Sequence, residues 1–96
     1  MKKATPTTEE LQIAGWMHEE FERVGLLYQA RVATEILQRF GRDHVYRNRN
    51  GNWAISAPIL QEFRRLTVET AVWNRRGQFW RERRPADPPG KRMVRW

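Results

Sequence analysis

Residues 72–84 read VWNRRGQFWRERR, thirteen positions that hold two tryptophans, one phenylalanine and five arginines. Two structures suit this spacing. As a hairpin turning at Arg76-Gly77, the stretch pairs Trp73 with Trp80, whereas as a helix it carries the same two residues on one face. Gly77 costs about 1 kcal/mol inside a helix and is useful in a turn. We therefore favour the hairpin, although the periodicity alone is compatible with both structures.

A second hairpin is predicted by HVYRNRNGNWAIS (44–56), where the hydrophobic period changes to two. Asn50-Gly51 is the strongest short-range signal for a hairpin, because a type I′ turn needs positive φ at both central residues. A two-residue turn at this point predicts two pairs on one face: Tyr46 opposite Ile55, and Asn48 opposite Trp53. Arg47 and Arg49 then point to the other face.

The first helix is predicted over TTEELQIAGWMHEEFERVG (7–25). Thr7 and Glu10 have the spacing of a capping box, and Gly25 is a natural C-cap. Helical periodicity places these apolar side chains on one face: Ile13, Ala14, Met17, Phe21 and Val24. Trp16 lies about 100° from that face, so it either widens the buried surface or remains for a partner. It is the candidate partner-binding residue.

Two further helices are predicted over YQARVATEILQRFG (28–41), which ends at Gly41, and SAPILQEFRRLT (56–67), in which Ser56 is a suitable N-cap. Their inward residues are Val32, Ala33, Ile36, Leu37 and Phe40 in the first, and Ile59, Leu60, Phe63 and Leu66 in the second. The outward stripe of the last helix consists of Gln61, Arg64 and Arg65.

Together these elements predict an α+β fold of three helices and two short β-hairpins in one small domain. The predicted boundaries are a flexible N-terminus over 1–7, the domain over 8–84, and an extended Pro-rich basic tail over 85–96. The tail has apolar residues that could anchor it on its own domain or on a neighbour: Met93, Val94 and Trp96.

The net charge of +7 is unevenly distributed along the 96 residues. Residues 1–41 carry five Lys/Arg against six acids, whereas residues 42–96 carry thirteen against five, so the whole positive excess lies in the second part. Fifteen of the eighteen basic residues are arginine, which pairs bidentately with carboxylates and phosphates. This asymmetry indicates nucleic acid or another acidic partner.

Several classes of function are disfavoured by what the chain contains. It has no cysteine, which excludes disulfides and thiolate chemistry, and its single serine, Ser56, stands at a predicted helix cap. His18 and His44 have neither the spacing nor the third ligand of a metal site. We therefore predict a non-enzymatic protein without cofactor, metal or small-molecule ligand. No apolar run approaches the roughly 18 residues that span a bilayer, so we expect a cytoplasmic protein that does not enter membranes.

A set of short motifs resembles a family of small, uncharacterised bacterial proteins, a domain of unknown function, from about Trp16 to Arg92. The motifs are VY before an N-x-x-GN turn, the helix EFRRLT, the pair VW, and WRxR followed by D-x-P-G. Proteins of this size and type are also found on mobile gene cassettes, such as those of integrons. The resemblance implies a shared fold and a bacterial origin, and it implies no activity.

The chain is also similar, more weakly, to winged helix-turn-helix DNA-binding domains. The matching segments are 31–41 as positioning helix, 55–67 as recognition helix, and 71–83 as a β-wing. The similarity implies that Arg75 and Arg76 lie at the tip of the wing and that three side chains face the major groove: Gln61, Arg64 and Arg65. The hairpin over 44–55 departs from this pattern, because it separates two helices that a short turn normally joins.

Two hypotheses of function follow. The first is DNA binding through an arginine-rich face made of Arg47, Arg49, Gln61, Arg64, Arg65, Arg75 and Arg76. The second is a protein-protein interaction module, such as a homodimer or a complex with an acidic protein, in which the arginines meet carboxylates. In that case the acidic first helix of one subunit contacts the basic half of another, and Trp16 contributes to the contact.

Overall fold

A computed structural model describes residues 5–88 and 93–94. Within them the order is α1 (Thr8–Val24), β1 (Leu26–Tyr28), α2 (Gln29–Phe40), a 3-10 turn (Arg42–His44), β2 (Val45–Arg47), β3 (Trp53–Ile55), α3 (Ala57–Leu66), β4 (Ala71–Asn74), β5 (Phe79–Glu82) and β6 (Met93–Val94). The predicted α+β class, with three helices and two hairpins, is confirmed. The predicted flexible N-terminus and Pro-rich tail fall partly outside the described residues, and Trp96 falls wholly outside them.

Helix α1 begins and ends as its sequence predicts. The Thr7 hydroxyl accepts a hydrogen bond from the Glu10 amide at 3.1 Å, and the Glu10 carboxylate accepts one from the Thr7 amide at 2.7 Å. Gly25 ends the helix at φ +78°, and a Cβ there would lie 2.6 Å from the Glu82 carboxylate. The prediction that Val24 is buried was wrong. Val24, in the last turn of the helix, is 52% exposed, whereas the other four residues of the predicted apolar face are buried.

The larger sheet has the strand order β1-β5-β4-β6. Its centre is the hairpin of β4 and β5, and the observed register pairs Trp73 with Trp80, which confirms the hairpin over the helix. Gly77 is needed in the connecting turn, because a Cβ there would overlap the ring of Phe79. The Asn74 side chain closes the turn by accepting a hydrogen bond from the Gly77 amide at 2.7 Å.

The two edge strands of this sheet were not predicted. Strand β1 pairs with β5, placing Leu27 opposite Trp80, and β6 runs parallel to β4, placing Met93 opposite Trp73. With three and two residues, these strands are too short to show a period of two. Pairing of Met93–Val94 with β4 anchors this part of the tail on its own domain.

The smaller sheet, formed by β2 and β3, has a register shifted by one residue from the predicted one. Tyr46 lies opposite Ala54 rather than Ile55, and Arg47 lies opposite Trp53. The cause is Asn48, whose side-chain oxygen accepts hydrogen bonds from the amides of residues 50 and 52, each at 3.0 Å. These bonds close a three-residue loop in which Gly51 has φ +79°.

A shift of one residue moves every side chain of a strand to the other face. Tyr46, predicted to share the inner face with Ile55, is therefore 52% exposed, whereas Val45 is buried opposite Ile55. Arg47 does not point away from Trp53, because its guanidinium carbon lies 4.3 Å from the centroid of the Trp53 ring.

We expect Asn48→Ala to lower the free energy of unfolding by about 1 kcal/mol, because it removes the acceptor of two turn hydrogen bonds. Urea denaturation followed by circular dichroism measures the difference. Asn50→Ala is the matched control, since Asn50 contributes its backbone amide to the same turn. Equal destabilisation of the two variants would show that the Asn48 side chain does not set this loop.

The core lies between the three helices, one face of the larger sheet and the β2–β3 hairpin. Phe63 of α3 is fully buried and makes edge-to-face contacts with Phe21 of α1, at 6.2 Å between ring centroids, and with Trp80 of β5, at 5.1 Å. Helix α3 packs mainly on α1, whereas α2 packs on the β2–β3 hairpin. This packing gives no support to the winged-helix likeness, in which the second and third helices pair closely.

The opposite face of the larger sheet carries a buried ion pair. Arg81 of β5 donates two hydrogen bonds to Asp87, at 3.0 and 2.8 Å, and the two side chains are only 7% and 3% exposed. The Asp87 carboxylate also accepts a hydrogen bond from the backbone amide of Arg84 at 2.6 Å. The Arg81 guanidinium, followed by this amide, holds the pKa of Asp87 far below its ordinary value. Within this chain, the pair joins the WRxR motif to the Asp of the D-x-P-G motif.

Candidate functional site

A groove of about 360 Å³ lies between the second half of α3 and the sheet formed by β4, β5 and β6. Its floor and walls are apolar, and polar side chains of α3 line its rim. The residues that matter for its chemistry are Trp73, Trp80, Val68, Met93, Gln61, Arg64 and Arg65. Its size is typical of a small-ligand site.

The floor of the groove is a pair of tryptophans. The ring centroids of Trp73 and Trp80 lie 4.6 Å apart at an interplanar angle of 50°. Trp80 is 5% exposed and belongs to the core, whereas Trp73 is only half-buried. Val68 and Met93 are 63% and 41% exposed on the walls. Apolar side chains that stay exposed together in one concavity mark a binding surface more often than a packing defect.

The rim is the predicted outward stripe of α3. Gln61, Arg64 and Arg65 are all exposed, as the helical period predicts. Arg65 donates two hydrogen bonds to Glu62, at 2.8 and 2.7 Å, and this pair raises the pKa of Arg65 and lowers the pKa of Glu62. Arg65 is thereby fixed in position while its side chain remains 70% exposed.

Arg75 and Arg76 occupy the four-residue turn between β4 and β5, two and three positions after Trp73. Both side chains are exposed. Within the described part of the chain, neither guanidinium pairs with a carboxylate. The turn therefore adds two positive charges at positions that are close in sequence to Trp73 of the groove.

Arg47 and Arg49 lie on the smaller sheet and do not line the groove. Arg47 stacks on Trp53 and donates a hydrogen bond to the carbonyl of Gly51 at 2.7 Å. Arg49 is exposed in the loop beside it. Of the seven predicted binding residues, the structure thus brings Gln61, Arg64 and Arg65 together at one concavity and leaves Arg47 and Arg49 on a separate element.

Trp16 lies at the margin of the core. It is half-buried, its ring centroid lies 6.4 Å from that of Phe40, and the Arg39 guanidinium carbon lies 5.2 Å from its centroid. Trp16 therefore widens the buried face of α1, and its remaining surface lines a second, smaller groove of about 160 Å³ together with Val24 and Tyr28. A role in binding a partner remains a prediction.

Of the polar residues considered for catalysis, His18 is partly exposed and bound to Glu22, whereas Ser56 and His44 place polar atoms in the interior. Ser56 has the backbone conformation of an N-cap, but its side chain does not cap α3 as predicted. Its hydroxyl and the Nδ1 atom of His44 are buried without a hydrogen-bond partner in the structure. The other ring nitrogen of His44 binds Glu9.

The hairpin predicted from the sequence pairs Trp73 with Trp80 without indicating that Trp73 stays partly exposed, and so the groove was not predicted. The alternation of β4 and β5 correctly places Trp73 beside Trp80. Which of the two stays partly open depends on where α3 ends and on β6, and neither has a local signal. Val68, the second residue after α3, was likewise not singled out.

Among residues 5–88 and 93–94, no cluster of three His, Asp or Glu side chains could hold a metal ion. No described helix is both long enough and apolar enough to cross a membrane.

Comparison with known proteins adds one relationship. Neither the curated proteins nor the solved structures yield a match to this chain. A family model matches residues 9–82, which run from the second residue of α1 to the last residue of β5. On this match, the chain belongs to the family of unknown function DUF6953.

Proposed function

We propose that this protein binds nucleic acid, DNA in the first instance, through the arginine-rich surface formed by α3 and the β4–β5 turn. The observation that carries the proposal is the exposure of Gln61, Arg64 and Arg65 along one stripe beside an aromatic groove. Arg75 and Arg76 extend the positive charge at the end of β4.

The chemistry of these side chains suits phosphates and bases. A guanidinium donates two parallel hydrogen bonds to a phosphate, and each phosphate neutralised releases counterions, which makes the affinity depend on salt. The Gln61 amide both donates and accepts hydrogen bonds, as the edge of a base requires. The surface therefore offers charge for affinity and an amide for contact with a base.

The acidic residues of α1 weaken the alternative of a charge-paired homo-oligomer. Most of them are engaged inside the chain: Glu9 with His44, Glu10 with the Thr7 amide, Glu20 with Arg23, and Glu22 with His18. Carboxylates that already have partners attract the arginines of a second subunit less strongly. The unsatisfied positive charge at the β4–β5 turn therefore favours phosphate as its counterpart.

The test replaces Arg64, Arg65, Arg75 and Arg76 together with glutamine. We expect the affinity for a mixed-sequence DNA to fall on the order of 100-fold near physiological salt, because up to four phosphates are no longer neutralised. The slope of log affinity against log salt should become less steep by about 0.9 for each of these phosphates. Anisotropy of a labelled DNA at several salt concentrations measures both quantities.

The matched control replaces Arg23, Arg31, Arg39 and Arg42 with glutamine, which changes the net charge equally on other surfaces. We expect this control to keep most of the affinity. An equal fall in affinity for the two variants would contradict the assignment of the surface. A wild-type protein without measurable binding at low salt would overturn the proposal itself.

A further inference from the structure

We infer that the groove between α3 and β4 is a stacking site for an unpaired base, so that the ligand is single-stranded nucleic acid. This inference rests on the proposed function and makes it more specific. It assigns Trp73 as the stacking surface and the arginines of α3 as the contacts to the flanking phosphates.

The aromatic floor of the groove is held rigidly by the core. Trp73 is held against Trp80 at 4.6 Å, and Trp80 is held in turn by Phe63 at 5.1 Å. The indole of Trp73 therefore packs on a buried ring that is itself packed on a second buried ring, so its position is fixed before a ligand binds. A rigid aromatic side chain loses little conformational entropy when a planar ring stacks on it, and every base has a planar face.

The walls of the groove are apolar and open to solvent. Val68 and Met93 remain 63% and 41% exposed there. Apolar surface on both sides of an aromatic floor favours a flat, largely apolar group over a sugar or a free ion. The volume of about 360 Å³ leaves room for one base and its attached sugar.

The positive charge of the rim determines the class of occupant. The rim carries the exposed guanidinium groups of Arg64 and Arg65. Arg65 forms a bidentate ion pair with Glu62, so these three side chains together leave one net positive charge at the rim. An occupant that is only apolar gains nothing from this charge, and a purely acidic peptide such as polyglutamate has no aromatic ring to stack on the floor. A nucleotide satisfies both requirements, because it joins a stacking ring to an anionic phosphate.

A duplex does not suit the groove. Bases within a duplex are stacked on their neighbours, so their faces are not available to a tryptophan. A protein that used only the arginines would bind duplex and single strand through the same phosphates. An aromatic floor inside a cationic rim adds to the affinity only when a base is free to unstack from its neighbours and stack on the tryptophan.

The test compares the binding of the wild-type protein to four labelled probes of equal total charge: a single strand, the same strand with abasic sites, a duplex of half that length, and a polyglutamate peptide. We expect the single strand to bind about tenfold more tightly than the abasic strand and the duplex. Trp73→Leu should remove this difference while leaving the slope against salt unchanged. Val68→Glu, at a highly exposed position, should weaken single-strand binding without depending on the packing of Trp73.

The outcomes separate the two proposals. Equal affinity for the single strand, the abasic strand and the duplex would overturn the stacking site and leave the proposed function standing. No binding to any of the three nucleic acids would overturn both. Polyglutamate binding as tight as that of the single strand would also overturn the stacking site, since it would show that charge alone is recognised.

Discussion

Replacing Asp87 with alanine is expected to lower the Tm of this protein by roughly 15 °C or more. The change leaves the Arg81 guanidinium buried without its carboxylate, and the remaining charge has almost no access to water. It also removes the acceptor of the Arg84 amide. Thermal unfolding followed by circular dichroism measures the effect.

The exposed pair of Arg65 and Glu62 is the matched control. It is bidentate like the buried pair, but the Arg65 side chain is 70% exposed, so Arg65→Gln should leave the Tm close to that of the wild type. The double variant Arg81→Met with Asp87→Leu should regain part of the stability, because it leaves no unpaired charge. A Tm for Asp87→Ala as high as that of Arg65→Gln would contradict the structural role of the buried pair.

The same pair makes the stability of the protein depend on pH in the acidic range. Because Arg81 and the Arg84 amide depress the pKa of Asp87, the folded state favours the ionised carboxylate more than the unfolded state does. The resulting stabilisation is complete above the carboxyl's ordinary pKa of 3.8 and is lost as the pH falls from there through the depressed folded value. Urea denaturation at pH 7 and pH 3 should show a smaller change with pH for Asp87→Ala than for the wild type.

Phe63→Ala is the second substitution with a large expected effect, a decrease of about 3–5 kcal/mol in the free energy of unfolding. Phe63 is fully buried, and it touches Phe21 of α1 and Trp80 of β5. Its removal therefore leaves a cavity where helix, helix and sheet meet. The free energy of unfolding of a small domain is about 5–15 kcal/mol in total, so the variant should be partly unfolded at moderate temperature.

The control for this prediction is Leu11→Ala, because Leu11 is a 44% exposed apolar residue of α1. We expect it to change the free energy of unfolding only slightly, and Phe63→Leu to fall between the two. Urea denaturation provides all three values. A small effect of Phe63→Ala would mean that α3 is held on the sheet by packing other than that of its central ring.

The buried pair and the groove lie on opposite faces of the larger sheet. Arg81 and Trp80 are neighbours on β5, and successive side chains of a strand point to opposite faces. The Arg81–Asp87 pair therefore stabilises the fold from one face of the sheet, while the proposed binding groove lies on the other face. This arrangement allows stability and binding to be changed by separate substitutions.

Features that depend on neighbours in the chain were predictable. The capping box of α1 joins residues three apart, the outward position of Gln61, Arg64 and Arg65 follows from the helical period, and both are observed. The register of β4 and β5 was also predicted, because hydrophobic alternation and the turn at Gly77 point to the same pairing. In each case the physical cause acts within one element or one turn.

The register of β2 and β3 is set by residues of a single turn, and it was nevertheless predicted wrongly. The sequence Asn50-Gly51 favours a two-residue turn, but the Asn48 side chain competes by binding two amides of the loop. Competition between two local preferences is decided by a small energy difference. A single side chain thus turned Tyr46 outward and brought Arg47 onto Trp53.

What the sequence by itself determined about this protein is its three long helices, its uneven charge and the stripe of α3 that faces solvent, since each follows from periodicity or composition. The central hairpin was favoured by Gly77, but the periodicity left a helix open until the strand pairing was seen. Only the tertiary structure decided that Arg81 is buried against Asp87, that β1 and β6 complete the sheet, and that Trp73 forms the floor of a groove. The physical reason is that burial depends on which distant segments cover a residue. No pattern within a strand of four residues carries that information.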